Sequence, residues 1–409
     1  MSSAPGSPIV SHVRDVILRH GRTLRLRPPL PDDADAVLDF FRRLDDQSLY
    51  MRFHGTRRVG HDILDGLLDP DWSVRGALIG LLRGDAGDEV VAVASYARLR
   101  DPLLAEAAFA VATDLQGLGV GTRLVEQLAE AAAQEGIETF VADVMAENDA
   151  MLQVFADTGY DVERTFESGE ILVRLRIAAS DRFLDAVDRR DHTAVDRSLE
   201  SFFRPQTVAV IGASARPGAI GGAVFRNIVE GGFTGRAFPV NRSGEPVAGV
   251  AAVRSIEEVG EPIGLVVVCV PASAVYPAVE SALAAGVRAV CVITAGFAET
   301  GPAGARAERE LLALVRSYGA RMIGPNCLGL ASSEVRMNAT FSPAGFAPGA
   351  VAVSSQSGAV GLAVLEGLER RGLGVSSFVS VGNKADVSSN DLLEHWEDDP
   401  ATGTIALYL

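Results

Sequence analysis

The sequence predicts an α/β chain of several domains, and three segments of one form predict it. Each is an apolar strand, a glycine-rich turn and the start of a helix. Ala105–Val111 leads to Gln116-Gly-Leu-Gly-Val-Gly-Thr122, Thr207–Ile211 to Gly212-Ala-Ser-Ala-Arg-Pro-Gly218, and Gly349–Ser354 to Ser355-Gln-Ser-Gly358. Glycines at a helix N-terminus let backbone N–H groups approach an anion, and the helix dipole favours negative charge there. In the first segment Leu124, Val125, Leu128 and Ala132 follow with helical spacing. One carboxylate, Glu106, lies upstream on its strand.

Bulk composition narrows the partners. A chain of 409 residues has room for two or three domains, and 48% hydrophobic content suits real cores. Lys and Arg number 37 against 53 Asp and Glu, a net charge of −16. That balance argues against nucleic acid or an anionic membrane as partner. Cys269, Cys291 and Cys327 lack metal-ligand spacing and no metal is expected; so few thiols point to a reducing, cytoplasmic setting. No apolar run approaches the roughly 18 residues of a membrane span. Residues 1–20 carry no basic region with an apolar core behind it, so they read as a flexible tail rather than a signal peptide.

Residues 21–178 read as the first domain. Thr23–Arg27 alternates like a strand, and Asp32 and Asp33 can cap the helix through Val37, Leu38, Phe40 and Phe41. Ser48–Phe53 reads as a helix packing Tyr50 and Phe53 into the core. Ala77–Leu82 and Val90–Leu99 form a hairpin about Gly84-Asp-Ala-Gly87. After the glycine turn and its helix come a strand at Thr139–Val144, a helix from Asn148 to near Gly159-Tyr160, and a strand at Ile171–Arg176.

This order, with Gln-x-x-Gly-x-Gly at Gln116, Gly119 and Gly121, resembles the GNAT acyltransferase superfamily, an α+β fold. The resemblance implies acetyl-CoA as cofactor. Its pyrophosphate would rest on the amides of Gln116, Gly117, Gly119, Gly121 and Thr122, its arm would lie along Phe109 and Val111, and Asn148 would contact the pantetheine. Acyl transfer to an amine needs a neutral nucleophile, hence a base. Glu106 lies five residues before Val111, about 16 Å up a strand from the phosphate end, near where a thioester would fall. In lysine acetyltransferases that this domain resembles, an Ala-Glu-x-Ala-Phe segment supplies the base; here it is Ala105-Glu-Ala-Ala-Phe109. The competing reading is a rim carboxylate with no role.

Residues 179–200 read as a charged helical connector, a solvated face to which no function is assigned. Residues 201–335 read as a Rossmann-like domain, with buried strands at Thr207–Ile211, Ala237–Asn241, Leu265–Pro271 and Ala289–Ile293. The acid that a nicotinamide ribose requires is not convincing. The set resembles the CoA-binding domain of the NDP-forming acyl-CoA synthetases, relatives of the succinyl-CoA ligase α subunit. That implies CoA contacts from Gly212, Ser214, Pro217, Gly218, Asn241, Pro271 and Asn326. Taken singly, each of these glycines and prolines reads better as turn geometry; as a set, clustered at a switch-point turn, they favour a CoA site. Cys327 reads as a buried small residue rather than a nucleophile.

Residues 336–409 resemble the flavodoxin-like ligase domain that follows, and the chain ends inside a strand, so an incomplete domain of a longer polypeptide is expected. In the ligases a histidine in a Ser-His-x-Gly type segment carries the phosphoryl group. None of His12, His20, His54, His61, His192 and His395 matches it, and His395 reads as a surface residue.

The whole resembles bacterial Pat-type enzymes. The resemblance implies transfer of acetyl from acetyl-CoA to a lysine of an acyl-CoA synthetase, with the ligase-like module sensing CoA or acetyl-CoA. A small-amine acetyltransferase, half of an acyl-CoA ligase and a CoA-sensing scaffold are the alternatives. Self-association into a homo-oligomer is left open.

Overall fold

The computed structural model describes residues 13–18, 23–53, 59–84, 87–167, 169–178, 180–343, 345 and 347–409. The chain divides into two compact units, Met1–Ala194 and Val195–Leu409. His12, His20 and His54, and the Asp85-Ala86 tip of the expected hairpin, lie outside the described residues.

The first unit is built on one eight-stranded sheet. Its strands are β1 (Arg14–Ile17), β2 (Thr23–Arg27), β3 (Arg75–Gly84), β4 (Gly87–Arg98), β5 (Leu104–Val111), β6 (Thr139–Met145), β7 (Asp161–Glu167) and β8 (Glu170–Arg176). They lie in the order β1-β2-β3-β4-β5-β6-β8-β7. β5 and β6 run parallel, and their pairing covers only Leu104–Glu106 against Thr139–Val141. Beyond that rung the two strands part.

Alternation along the strands assigns each face a partner. Ala77, Ile79 and Leu81 meet α1 (Ala34–Arg43) through Val37, Leu38, Phe40 and Phe41. Leu24, Leu26, Leu78 and Ala92 share a core with Leu124, Val125 and Leu128 of α3 (Val120–Gln134). Between α1 and α3 in sequence lies α2 (Asp46–Phe53), and α4 (Asp149–Asp157) follows β6.

Three expectations change here. The tail expected over 1–20 includes β1, whose Arg14–Ile17 pair with Thr23–Leu26. Tyr50 is exposed at 42% rather than packed in the core. Phe53 is half-buried and meets Phe41 with ring centroids 5.6 Å apart. On a helix of two turns only one stripe faces inward, and Leu49 and Phe53 occupy it at i, i+4. β7 was not expected.

The second unit opens with the end of α5 (Asp181–Phe203), a longer helix than the connector expected over 179–200. A parallel five-stranded sheet follows: β9 (Thr207–Ile211), β10 (Arg236–Val240), β11 (Leu265–Val268), β12 (Ala289–Val292) and β13 (Arg321–Ile323), in the order β10-β9-β11-β12-β13. β11 and β12 are buried at every position, as strands covered on both faces must be. The helices between are α6 (Ile220–Glu230), α7 (Ala272–Ala284) and α8 (Pro302–Ser317).

A third sheet holds β14 (Gly329–Ser332), β15 (Met337–Thr340), β16 (Pro348–Ser355), β17 (Val375–Ser380) and β18 (Thr404–Tyr408), in the order β15-β14-β17-β16-β18. The boundary drawn at 335/336 falls between β14 and β15, which pair with each other. Helices α9 (Gly358–Glu369) and α10 (Ser389–Glu397) complete it. His395 is not a surface residue: it is 5% exposed and stacks on Phe203 at 4.4 Å. Leu392, His395 and Trp396 form the inward stripe of α10 at i, i+3, i+4, and His395 Nδ1 lies 2.6 Å from Asp196 Oδ1.

Candidate active site

Where β5 and β6 part, the first unit holds a cavity of about 590 Å³. Its lining begins at Ala107, the first residue of β5 beyond the shared rungs. Phe109, Val111, Gln116, Gly117, Gly119, Gly121, Thr122 and Asn148, each expected to hold the cofactor, all line it.

The local geometry follows from the sequence. β5 ends in a short 3-10 turn, Thr113–Leu115, and the chain then passes through Gly117 (φ 78°) and Gly119 (φ 89°) before α3 begins. Both angles lie in the left-handed region that glycine enters without strain. Gly119 is the N-cap of α3, and no side chain caps that helix. The first-turn N–H groups of a helix have no partner within it, so these amides and the dipole of a 15-residue helix converge on one wall of the cavity. At Gly121 a Cβ would stand 3.1 Å from Val154 Cγ2, which brings α3 close to α4. Asn148 is the N-cap of α4: its Oδ1 accepts from Met151 N–H at 3.0 Å. An uncapped helix terminus suits an anion, and Phe109, Val111, Met151 and Val154 give the cavity an apolar wall.

Glu106 is not among the lining residues. It occupies the last paired rung, opposite Val141 on β6 and Ala97 on β4, and is exposed. It therefore stands at the fork from which the cavity opens.

Sequence reasoning missed the wall contributed by Asp45, Ser48 and Met51. Thr113 Oγ1 donates to Asp45 Oδ2 at 2.9 Å, joining the start of α2 to the turn after β5. The Ser48 N–H and the Thr113 hydroxyl hold the Asp45 carboxyl below the usual range. Met151 and Val154 were also missed as wall residues, although Met151 stands three residues after Asn148 and Val154 three after Met151.

The second predicted set lies along the carboxyl edge of the parallel sheet. Gly212, Ser214, Pro217 and Gly218 follow β9, Asn241 follows β10, Pro271 follows β11 and Asn326 follows β13. The edge between β9 and β11 is where the strand order reverses, the usual place for a ligand in such sheets. Gly212 (φ 89°) is required twice over, since a Cβ there would stand 2.5 Å from the Cys269 carbonyl oxygen. Several polar groups are engaged locally: Ser214 Oγ accepts from Arg216 N–H at 3.2 Å, and Asn241 Nδ2 donates to Glu245 O at 2.9 Å. Asn326 Nδ2 donates to Asn383 Oδ1 at 3.1 Å. Cys327 is buried, with Sγ 3.8 Å from Cys291 Sγ. Burial pushes the Cys269 thiol up, away from reactive thiolate.

Comparison with known proteins matches three stretches of the chain. Residues 47–160 match the acetyltransferase (GNAT) family, residues 206–333 a CoA binding domain, and residues 348–409 the succinyl-CoA ligase like flavodoxin domain. The chain is 40% identical over 216 residues to the acetate–CoA ligase [ADP-forming] I subunit alpha of Pyrococcus furiosus, covering 52% of this chain and 47% of that protein. It is 30% identical over 145 residues to the acetyltransferase Pat of Mycolicibacterium smegmatis, covering 35% of this chain and 43% of that protein. A solved structure, PH0766 from Pyrococcus horikoshii OT3, matches with a TM-score of 0.50 and 41% identity, covering 52% of this chain and 48% of that one. The chain spans between about a third and a half of the length of the curated relatives it matches. Among the described residues no helix is long and apolar enough to cross a membrane. The chain joins a GNAT acetyltransferase domain to a CoA-binding and succinyl-CoA-ligase-like flavodoxin module, and its cofactors are acetyl-CoA and CoA.

Proposed function

We propose that this protein transfers acetyl from acetyl-CoA to a lysine of a protein, an acyl-CoA synthetase by the kinship of the fused module. One observation carries the reading: all eight residues expected to hold the cofactor line one cavity, and Glu106 stands at the fork where that cavity begins. A free lysine is neutral in about one molecule in a thousand at pH 7.4, so removing its proton costs about 4 kcal/mol unless a base assists. Glu106, exposed and acting through a water, takes that proton. A β5 amide near Phe109 faces the developing oxyanion, and the amides of Gly119–Thr122 hold the pyrophosphate. Acetyl-CoA supplies the activated acyl group: the C–S bond breaks as the C–N bond forms, and CoA leaves as the thiol after taking up a proton. The module, with its own turn at Gly212, binds CoA or acetyl-CoA and regulates the transfer.

The test is transfer from labelled acetyl-CoA to an acyl-CoA synthetase, wild type against Glu106→Gln. Loss of a general base should lower kcat by about 10²–10⁴-fold and leave the KM for acetyl-CoA within about threefold. Full turnover by the variant would remove Glu106 from the mechanism. Transfer to polyamines but to no protein would favour the small-amine reading. Ligase chemistry in the module is a second reading, supported by the 40% identity to an acetate–CoA ligase subunit; acid- and ATP-dependent thioester formation tests it.

A further inference from the structure

Helix α5 reads from sequence as a solvated connector, yet one of its arginines is built into the acetyltransferase unit. The Arg190 side chain is 15% exposed. It donates to the carbonyl oxygen of Asp157 and, at 3.2 Å, to that of Thr158. It also pairs with Glu126, a carboxylate 5% exposed on α3 that Arg123 contacts at 3.1 Å. On the same helix, the Phe183 ring stacks on Tyr160 with centroids 4.1 Å apart and an 11° angle between planes.

These contacts fall on the two helices that wall the cavity. α4 contributes Met151, Val154 and Asp157, and α3 contributes Gly121 and Thr122 from its first turn. Asp157 and Thr158 close α4, and their carbonyls belong to the last turn, which lacks intrahelical partners and favours a cation. A single guanidinium thus serves the end of α4 and the side of α3 together, with the planar fork suited to several acceptors at once.

We propose that Arg190 is a positioning residue for acetyl-CoA: by tying the end of α4 to Glu126 of α3, it sets the gap between the glycine turn and the Met151–Val154 wall. This rests on the reading of the cavity as the acetyl-CoA site. The working acetyltransferase then extends past residue 178 into α5, at least to residue 190.

The full chain is compared with Arg190→Ala, Arg190→Lys and the double variant Arg190→Ala/Glu126→Gln. Misplacing a wall without touching Glu106 should raise the KM for acetyl-CoA about tenfold or more and leave kcat within about threefold. Lysine, a point charge that serves one acceptor at a time, should recover only part of the loss. In Arg190→Ala the buried Glu126 keeps Arg123 as partner but loses its second arginine; the double variant makes that side chain neutral and so supplies a folded comparator if the single variant is unstable. Its KM should stay high, because the Asp157 and Thr158 carbonyls are still untied. A KM restored to the wild-type value in the double variant would mean that Arg190 only neutralises Glu126, and would overturn the proposal; so would an unchanged KM in Arg190→Ala. Calorimetric titration with acetyl-CoA alone should show one site weakened by the same factor. That readout needs no acceptor, so it judges Arg190 even if the lysine reading fails.

Discussion

At Gly119 the backbone holds a φ of 89° and leaves the first amides of α3 uncapped. An L side chain in that region costs about 1–2 kcal/mol. Gly119→Ala is therefore expected to lower stability by about that amount and to weaken acetyl-CoA binding; denaturant unfolding and calorimetry read the two effects separately. This glycine was legible in sequence because its spacing from Gln116 and Gly121 is tied to a turn. Glu106 was legible through its distance along a strand. Asn148 was only half legible: its place beside the cofactor wall was expected, but its job as the cap of α4 depends on where that helix begins. His395 was misread because a lone histidine on an amphipathic helix carries no sign of the distant aspartate that meets it. Asp196 lies 199 residues away.

Among elements, α10 shows how a buried charge cluster is anchored. Arg321, 5% exposed, donates to Asp391 Oδ1 at 2.8 Å, to Asp386 Oδ2 at 2.9 Å and to Ser198 Oγ at 3.0 Å. Burial opposes ionisation of Asp391, but Arg321 and Ser388 outweigh it and hold the carboxyl below its usual range. A carboxylate depressed in the folded state stabilises the fold above its unfolded pKa of about 3.9, and that contribution is lost as pH falls through the folded value. Acid unfolding of the wild type should steepen below about pH 4, and Asp391→Asn should flatten that limb while lowering stability at neutral pH. Urea midpoints from about pH 2 to pH 7 would show it. β7 lay beyond sequence reading for a related reason. Asp161, Glu163 and Arg164 give it the charged composition of a loop, and it is a strand because β8 pairs with it from one side only. Such edges tolerate and even prefer charge. β14 and β15 were hidden by their length, four residues each.

For the molecule as a whole, the three strand–turn–helix segments were enough to indicate the α/β class, because parallel strands must be apolar throughout and their turns must be rich in glycine. The boundary drawn near 335 separates β14 from its sheet partners β15 and β17, because a strand of four residues carries no sign of which sheet it will join. The net charge of −16 leaves anionic ligands to local devices, and the chain has two candidate devices for CoA, in separate units. Calorimetry should accordingly count two sites. Gly212→Ala would set a Cβ 2.5 Å from the Cys269 carbonyl oxygen, so it should reduce the count to one while acetyl transfer at saturating acetyl-CoA persists. A wild-type count of one would remove the regulatory site.

The parting of β5 from β6 has a further consequence. From Ala107 to Val111 one side of β5 pairs with no strand among the described residues, which leaves an edge in the middle of a sheet rather than at its rim; the Val111 carbonyl there accepts from Gln116 Nε2 at 3.4 Å. An unpaired edge invites another strand, and an arm containing two amide groups, as pantetheine does, can act as one. Alternate amides in this stretch should exchange their hydrogens quickly in the free protein and slow sharply when CoA is added. The same labelling with ADP, which lacks the pantetheine arm and so both amides, should leave them fast, which would mark the ligand itself as the missing strand of the sheet.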